Sequence, residues 1–146
     1  MPSAVVSLRV SDEQAARLQR KARQIGRTPS ETGAILLDEG LRRDEFAFID
    51  FRDSAVGRQA YIQGSRLAVW QVESLLRRYA GDIKKACGYL EWPAVKVQAA
   101  SSYAKAFPDE IETAIQDAKS CNFDRISRML PQAEEFVVPL DTRKKK

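Results

Sequence analysis

Apolar and polar residues alternate from Val5 to Val10, which predicts a short strand. Period-two geometry puts Val6, Leu8 and Val10 on one side and Val5, Ser7 and Arg9 on the other. The period then lengthens: Ala15, Leu18, Ala22 and Ile25 recur at helical spacing. Ser11, with Gln14 three residues on, forms a capping-box signal, and Gly26 marks the stop. Thr28-Pro29-Ser30-Glu31 opens a second helix that runs to about Arg43, with Ile35, Leu36, Leu37 and Leu41 as its apolar side. Over residues 44–64 alternation returns around a turn at Asp53 to Gly57, the pattern of a hairpin or two short strands. Four helices follow. The first, about 68–79, carries Val69, Val72, Leu75, Leu76 and Tyr79, and the second is short and capped by Asp82. The third follows Trp92-Pro93, and the fourth begins at Pro108. From Asn122 an amphipathic piece carries Phe123, Ile126, Met129 and Leu130 before Pro131, and the chain ends in a short apolar run and a basic tip.

The opening strand poses a pairing problem. Backbone N–H and C=O groups packed against a core require partners, yet no second strand follows for more than thirty residues. Strand, helix and helix together also make too little core to stand alone, since modules below about 40 residues usually need help. One arrangement answers both: two copies lay their strands antiparallel and pack four helices together.

These first 43 residues resemble the ribbon-helix-helix DNA-binding modules, through Val6 to Val10, the capped first helix, and Gly26-Arg27-Thr28-Pro29-Ser30-Glu31. Thr32 and Gly33 depart from that pattern, which usually has larger apolar residues there, and this predicts a loosely packed second helix. Residues 46–115 resemble domain-of-unknown-function family 433, found in VapB-type antitoxins. The resemblance is carried by Gly64-Ser65-Arg66 before a helix start and by Tyr103 ahead of Pro108-Asp109-Glu110-Ile111; Ser65 stands where threonine is commoner. The expected fold is therefore mainly α with short β. An N-terminal ribbon-helix-helix (β-α-α, dimer-forming) occupies 1–43, and a C-terminal β-hairpin/helical, helix-turn-helix-like domain occupies 44–119. Residues 120–146 form a tail that is a candidate toxin-binding segment. The resemblance implies a type II antitoxin partnered with a PIN-like ribonuclease toxin.

Charge sharpens the picture. The 146 residues hold 24 Lys and Arg against 20 Asp and Glu. Residues 1–43 carry 8 basic and 5 acidic side chains, residues 44–142 carry 12 and 15, and Arg143-Lys144-Lys145-Lys146 closes the chain. A basic front end favours a phosphate-bearing partner. The absence of histidine excludes Ser-His and Cys-His catalysis and His-ligated metals. No glycine-rich phosphate loop is present and the carboxylates are scattered, so neither an enzyme, a cofactor nor a metal is expected. Cys87 and Cys121 read as reduced thiols. With no apolar run long enough to span a bilayer and no secretory signal, a cytoplasmic protein is expected.

On this reading the outward residues Val5, Ser7 and Arg9 contact bases in the major groove, Arg9 forking onto guanine; the bland alternative is an edge strand facing water. Arg27, Thr28 and Ser30 contact phosphate at a helix N-terminus, where simple capping is the alternative. Lys96 and Gln98 are second-domain DNA contacts, set against dimer reinforcement or toxin contact in a mildly acidic region. Trp70 and Trp92 read as core residues before interface anchors. For the toxin the candidates are Phe123, Arg125, Ile126, Arg128, Met129, Phe136, Val137 and Val138, arginine being suited to pair with clustered carboxylates; a terminal helix packed on its own domain is the alternative. The expected function is an antitoxin that binds an inverted-repeat operator as a dimer through its N-terminal strand and neutralises the ribonuclease. A stand-alone dimeric transcriptional regulator is the rival.

Overall fold

Local stop and start signals determine the element boundaries. The structure, a computed structural model, describes residues 3–54 and 57–136. Helix α1 spans Asp12–Ile25. Its cap is reciprocal: Ser11 Oγ accepts from the Gln14 N–H at 3.1 Å and Gln14 Oε1 accepts from the Ser11 N–H at 2.9 Å. Gly26, at φ 66°, takes the left-handed conformation that ends the helix. Helix α2 spans Pro29–Glu45 behind a second reciprocal cap from Thr28 and Glu31. Strands β1 (Ile49–Ser54) and β2 (Gly57–Ile62) pair antiparallel, from Ile49 opposite Ile62 to Ser54 opposite Gly57. Ala55 and Val56 of the expected turn lie outside the described residues. Then come α3 (Val69–Arg78), α4 (Ile83–Leu90), α5 (Ala94–Ala106), α6 (Pro108–Lys119) and α7 (Phe123–Met129). Asp82 caps α4 and Asn122 caps α7.

The expected N-terminal β-α-α arrangement is corrected. Residues 3–10 form neither strand nor helix, and the two strands among the described residues pair with each other in the middle of the chain, with helices on both sides. The reason is the pairing requirement itself: within one chain the segment has no mate. Its supposed inward face is open to solvent, with Val6 at 70%, Leu8 at 69% and Val10 at 53% exposure, and the outward Val5 is at 96%.

Two compact units divide the chain, Met1–Ala68 and Val69–Lys146, so the hairpin groups with α1 and α2 instead of with the later helices. In the first unit the core is Ala22, Ile49, Phe51, Ala60, Ile62 and Ala68. Ala15, Leu18 and Ile25 are half-buried, as their spacing on α1 predicts. On α2, Leu36, Leu37 and Leu41 are exposed, whereas Thr32 and Glu39, two turns apart, are buried. Small residues at the crossing explain the inward face: a Cβ on Gly33 would sit 3.9 Å from Leu18 Cδ2. The loosely packed α2 expected from Thr32 and Gly33 is thus replaced by contact with α1 at that point.

The second unit packs α3 against α5 and α6, and α4 against α5. Its core includes Val69, Val72, Leu76, Ala86, Val97, Ala100, Tyr103, Ile111 and Ile115. Burying each large apolar side chain contributes about 1.5–3 kcal/mol. Tyr103, completely buried, donates its hydroxyl to Glu110 at 2.7 Å and packs 4.8 Å from the Phe107 ring. That bond ties α5 to the first turn of α6 and accounts for the tyrosine–proline–acid spacing in the sequence. Among the described residues no helix is long and apolar enough to cross a membrane.

Candidate nucleic-acid interface

The first unit holds the basic surface, and its geometry begins with which cations are already committed. Arg58 forks onto Glu39 at 2.6 and 2.9 Å and reaches Asp53 at 3.2 Å. Lys21 also contacts Asp53, at 3.5 Å. The Glu39 hydrogen bonds, ahead of all else, hold the Arg58 guanidinium protonated well beyond its ordinary range. The Arg58 hydrogen bond likewise holds the Asp53 carboxyl below the usual carboxylate range. Arg43 pairs with Asp50 at 3.2 Å and stacks over Phe51. Arg52 bonds the Ser65 carbonyl at 2.7 Å and stacks over Tyr61. Arg42 pairs with Asp38, and Arg17 with Glu13, each at 3.0 Å. These contacts join helices to hairpin or brace single helices, and they leave the body of the unit nearly neutral.

Five arginines stand outside this network. Arg9, Arg20, Arg23, Arg27 and Arg66 are exposed and have no ion-pair partner among the described residues. Arg20 and Arg23 lie three residues apart, hence on one face of α1, and Arg27 follows the helix by two residues. Arg9 and Arg27 are anticipated by the sequence reading. Arg20 and Arg23 are not, although their spacing near the end of α1 is the signal that marks them.

Val5, Ser7 and Arg9 lie on the exposed N-terminal segment together with Val6, Leu8 and Val10. The α2 start is more constrained than expected. Thr28 Oγ1 accepts from the Glu31 N–H at 3.2 Å, and Glu31 Oε2 accepts from the Thr28 N–H at 3.0 Å. Hydrogen bonding from the Thr28 backbone, then its hydroxyl, with Arg27 nearby, holds the Glu31 carboxyl below its usual range. An incoming phosphate therefore meets a resident carboxylate at that helix end, and Arg27 and Ser30, both exposed, remain free to meet it.

In the second unit Lys96 is half-buried and places its ammonium 5.8 Å from the Trp92 ring centre, a contact within its own unit. Gln98 is exposed two residues along α5. Trp70 and Trp92 are half-buried. On α7, Phe123 and Ile126 are half-buried, Arg125 and Arg128 are exposed, and Met129 is 69% exposed. Arg125 bonds Ser120 Oγ at 3.3 Å. Phe136 is 80% exposed, while Val137 and Val138 lie outside the described residues. The structure therefore gathers the toxin-side candidates Phe123, Arg125, Ile126, Arg128 and Met129 on one short helix.

No family model, no curated protein and no solved structure matches this chain.

Proposed function

We propose that this protein is a DNA-binding regulator that works as a dimer, the antitoxin of a pair whose toxin is a PIN-like ribonuclease. One observation carries the reading. The N-terminal unit carries both exposed apolar side chains and uncommitted arginines: Val6, Leu8 and Val10 on the opening segment, Leu36, Leu37 and Leu41 on α2, and Arg9, Arg20, Arg23 and Arg27. Apolar surface of that extent favours association of two copies, and the arginines supply phosphate contacts. In this reading two chains associate along Val5 to Val10. Val5, Ser7 and Arg9 then supply base contacts, an arginine–guanine pair discriminating by about 1–3 kcal/mol. Arg27 and Ser30 grip the backbone. The exposed Arg125, Arg128 and Met129 of α7, with Phe136, face the toxin, the arginines seated against its acidic metal site.

Gel shifts against the chain's own promoter test the DNA half. Arg9→Ala should relax sequence preference, and Arg20→Gln with Arg23→Gln should lower the salt slope by about 2 while leaving sequence preference unchanged. Equal affinity, preference and salt dependence in all three proteins would remove this surface from DNA binding. Co-purification with the neighbouring gene product tests the toxin half; its failure, with operator binding intact, would favour the stand-alone regulator.

A further inference from the structure

The second unit contains a cavity of about 450 Å³ between α3 and α6, within the size range of small-ligand sites. The Trp70 indole and Ile115 give it an apolar wall, and Ser74, Arg77, Arg78 and Lys119 give it a polar rim. Among the described residues no carboxylate lines it. Two stand beside it, Glu73 and Glu112, and both are bound to Arg77, at 3.4 and 2.8 Å. Gln116, ahead of Arg77, hydrogen-bonds Glu112 and helps hold its carboxyl below the usual range. Arg77 is thus largely neutralised. Arg78 and Lys119 are exposed and form no ion pair among the described residues, Lys119 lying within electrostatic reach of Glu112.

We propose that this cavity binds a small amphipathic carboxylate, with its apolar body against Trp70 and Ile115 and its carboxylate on Arg78 and Lys119. A neutral ligand would leave two adjacent cations unmatched. A bare inorganic anion would leave the indole wall uncovered. None of the lining residues belongs to the proposed DNA or toxin contacts, so this inference is tested separately from them.

The chain has two tryptophans, so Trp92→Phe leaves a single indole N–H resonance, that of Trp70, in a nitrogen–proton correlation spectrum. Phe retains a ring beneath Lys96. Titration with benzoate should move that resonance saturably, while benzamide and inorganic phosphate should leave it in place. Arg78→Gln with Lys119→Gln should weaken benzoate binding about tenfold or more, with the circular dichroism spectrum retained. No movement up to about 10 mM benzoate, an equal response to benzamide, or unchanged affinity in the Gln variant would overturn the proposal. If Trp92→Phe does not fold, the same titration in the full chain decides it, because Trp70→Phe identifies which of the two resonances belongs to Trp70.

Discussion

Replacing Arg58 by Met tests whether the buried ion pair is the main polar link between α2 and the hairpin. The Glu39 side chain is 5% exposed and receives two charge-assisted hydrogen bonds from Arg58, at 2.6 and 2.9 Å. Met keeps much of the aliphatic stem but leaves that carboxylate buried without its partner. Breaking a buried pair from one side costs about 3–5 kcal/mol. Arg58 is itself 27% exposed, so water reaches part of the site and about 3 kcal/mol is the expected loss. The contact to Asp53, whose side chain is 64% exposed, is screened by water and adds little. Urea unfolding followed by circular dichroism should therefore show the midpoint falling by roughly 1–3 M at a typical slope for a small domain. The double variant Glu39→Met, Arg58→Met removes the orphaned charge as well and should recover most of the loss. A loss below about 1 kcal/mol in Arg58→Met, or a double variant no more stable than the single one, would refute the reasoning.

Acid should destabilise the first unit through Glu31 and Asp53. Both carboxyls are depressed in the folded chain, so their stabilisation is complete above their unfolded values and is lost as pH falls through the lower folded ones. Thermal melts from about pH 6 to about pH 3 should show that decline, and Glu31→Gln should make it shallower; an unchanged slope would mean that the α2 cap does not titrate with folding. Leu37→Glu with Leu41→Glu should shift the mass measured by light scattering from dimer to single chain, and a mass unchanged by both substitutions would exclude the outward leucine face from self-association. In the second unit Tyr103→Phe removes the 2.7 Å bond to Glu110 and should cost about 1.5–3 kcal/mol in urea unfolding; no measurable change would show that Glu110 does not depend on that hydroxyl.

Features encoded within a few residues were legible in the sequence. Ser11 with Gln14, Thr28 with Glu31, Asp82, Asn122, Pro29 and Pro108 each mark a helix start, and the structure places helices behind all of them. The hairpin was legible because alternation on both sides of Asp53 to Gly57 is a local pattern too. What escaped depends on partners distant in sequence. Periodicity marked the apolar side of α2, but the buried Glu39–Arg58 pair, across 19 residues, lies on the face with Thr32 and has no local signal. The opening segment has strand alternation, yet alternation supplies no hydrogen-bonding mate. The candidate surface was half legible. Arg9 and Arg27 follow from position, but separating Arg20 and Arg23 from the other cations required knowing which of those cations the hairpin and helices engage.

The antiparallel register has a bearing on which length changes the chain can absorb. Ile49 faces Ile62 and Phe51 faces Ala60, and all four are buried. Deleting one residue inside either strand would swap its two faces: in β1 Asp50 and Arg52 would turn toward the core, and in β2 Gln59 and Tyr61 would do so while Arg58 turned away from Glu39. Insertions at the tip, beyond Ser54 and before Gly57, leave that phase untouched. The hairpin can therefore lengthen at its end over evolutionary time, whereas its strands tolerate no single-residue deletion between Ile49 and Ile62.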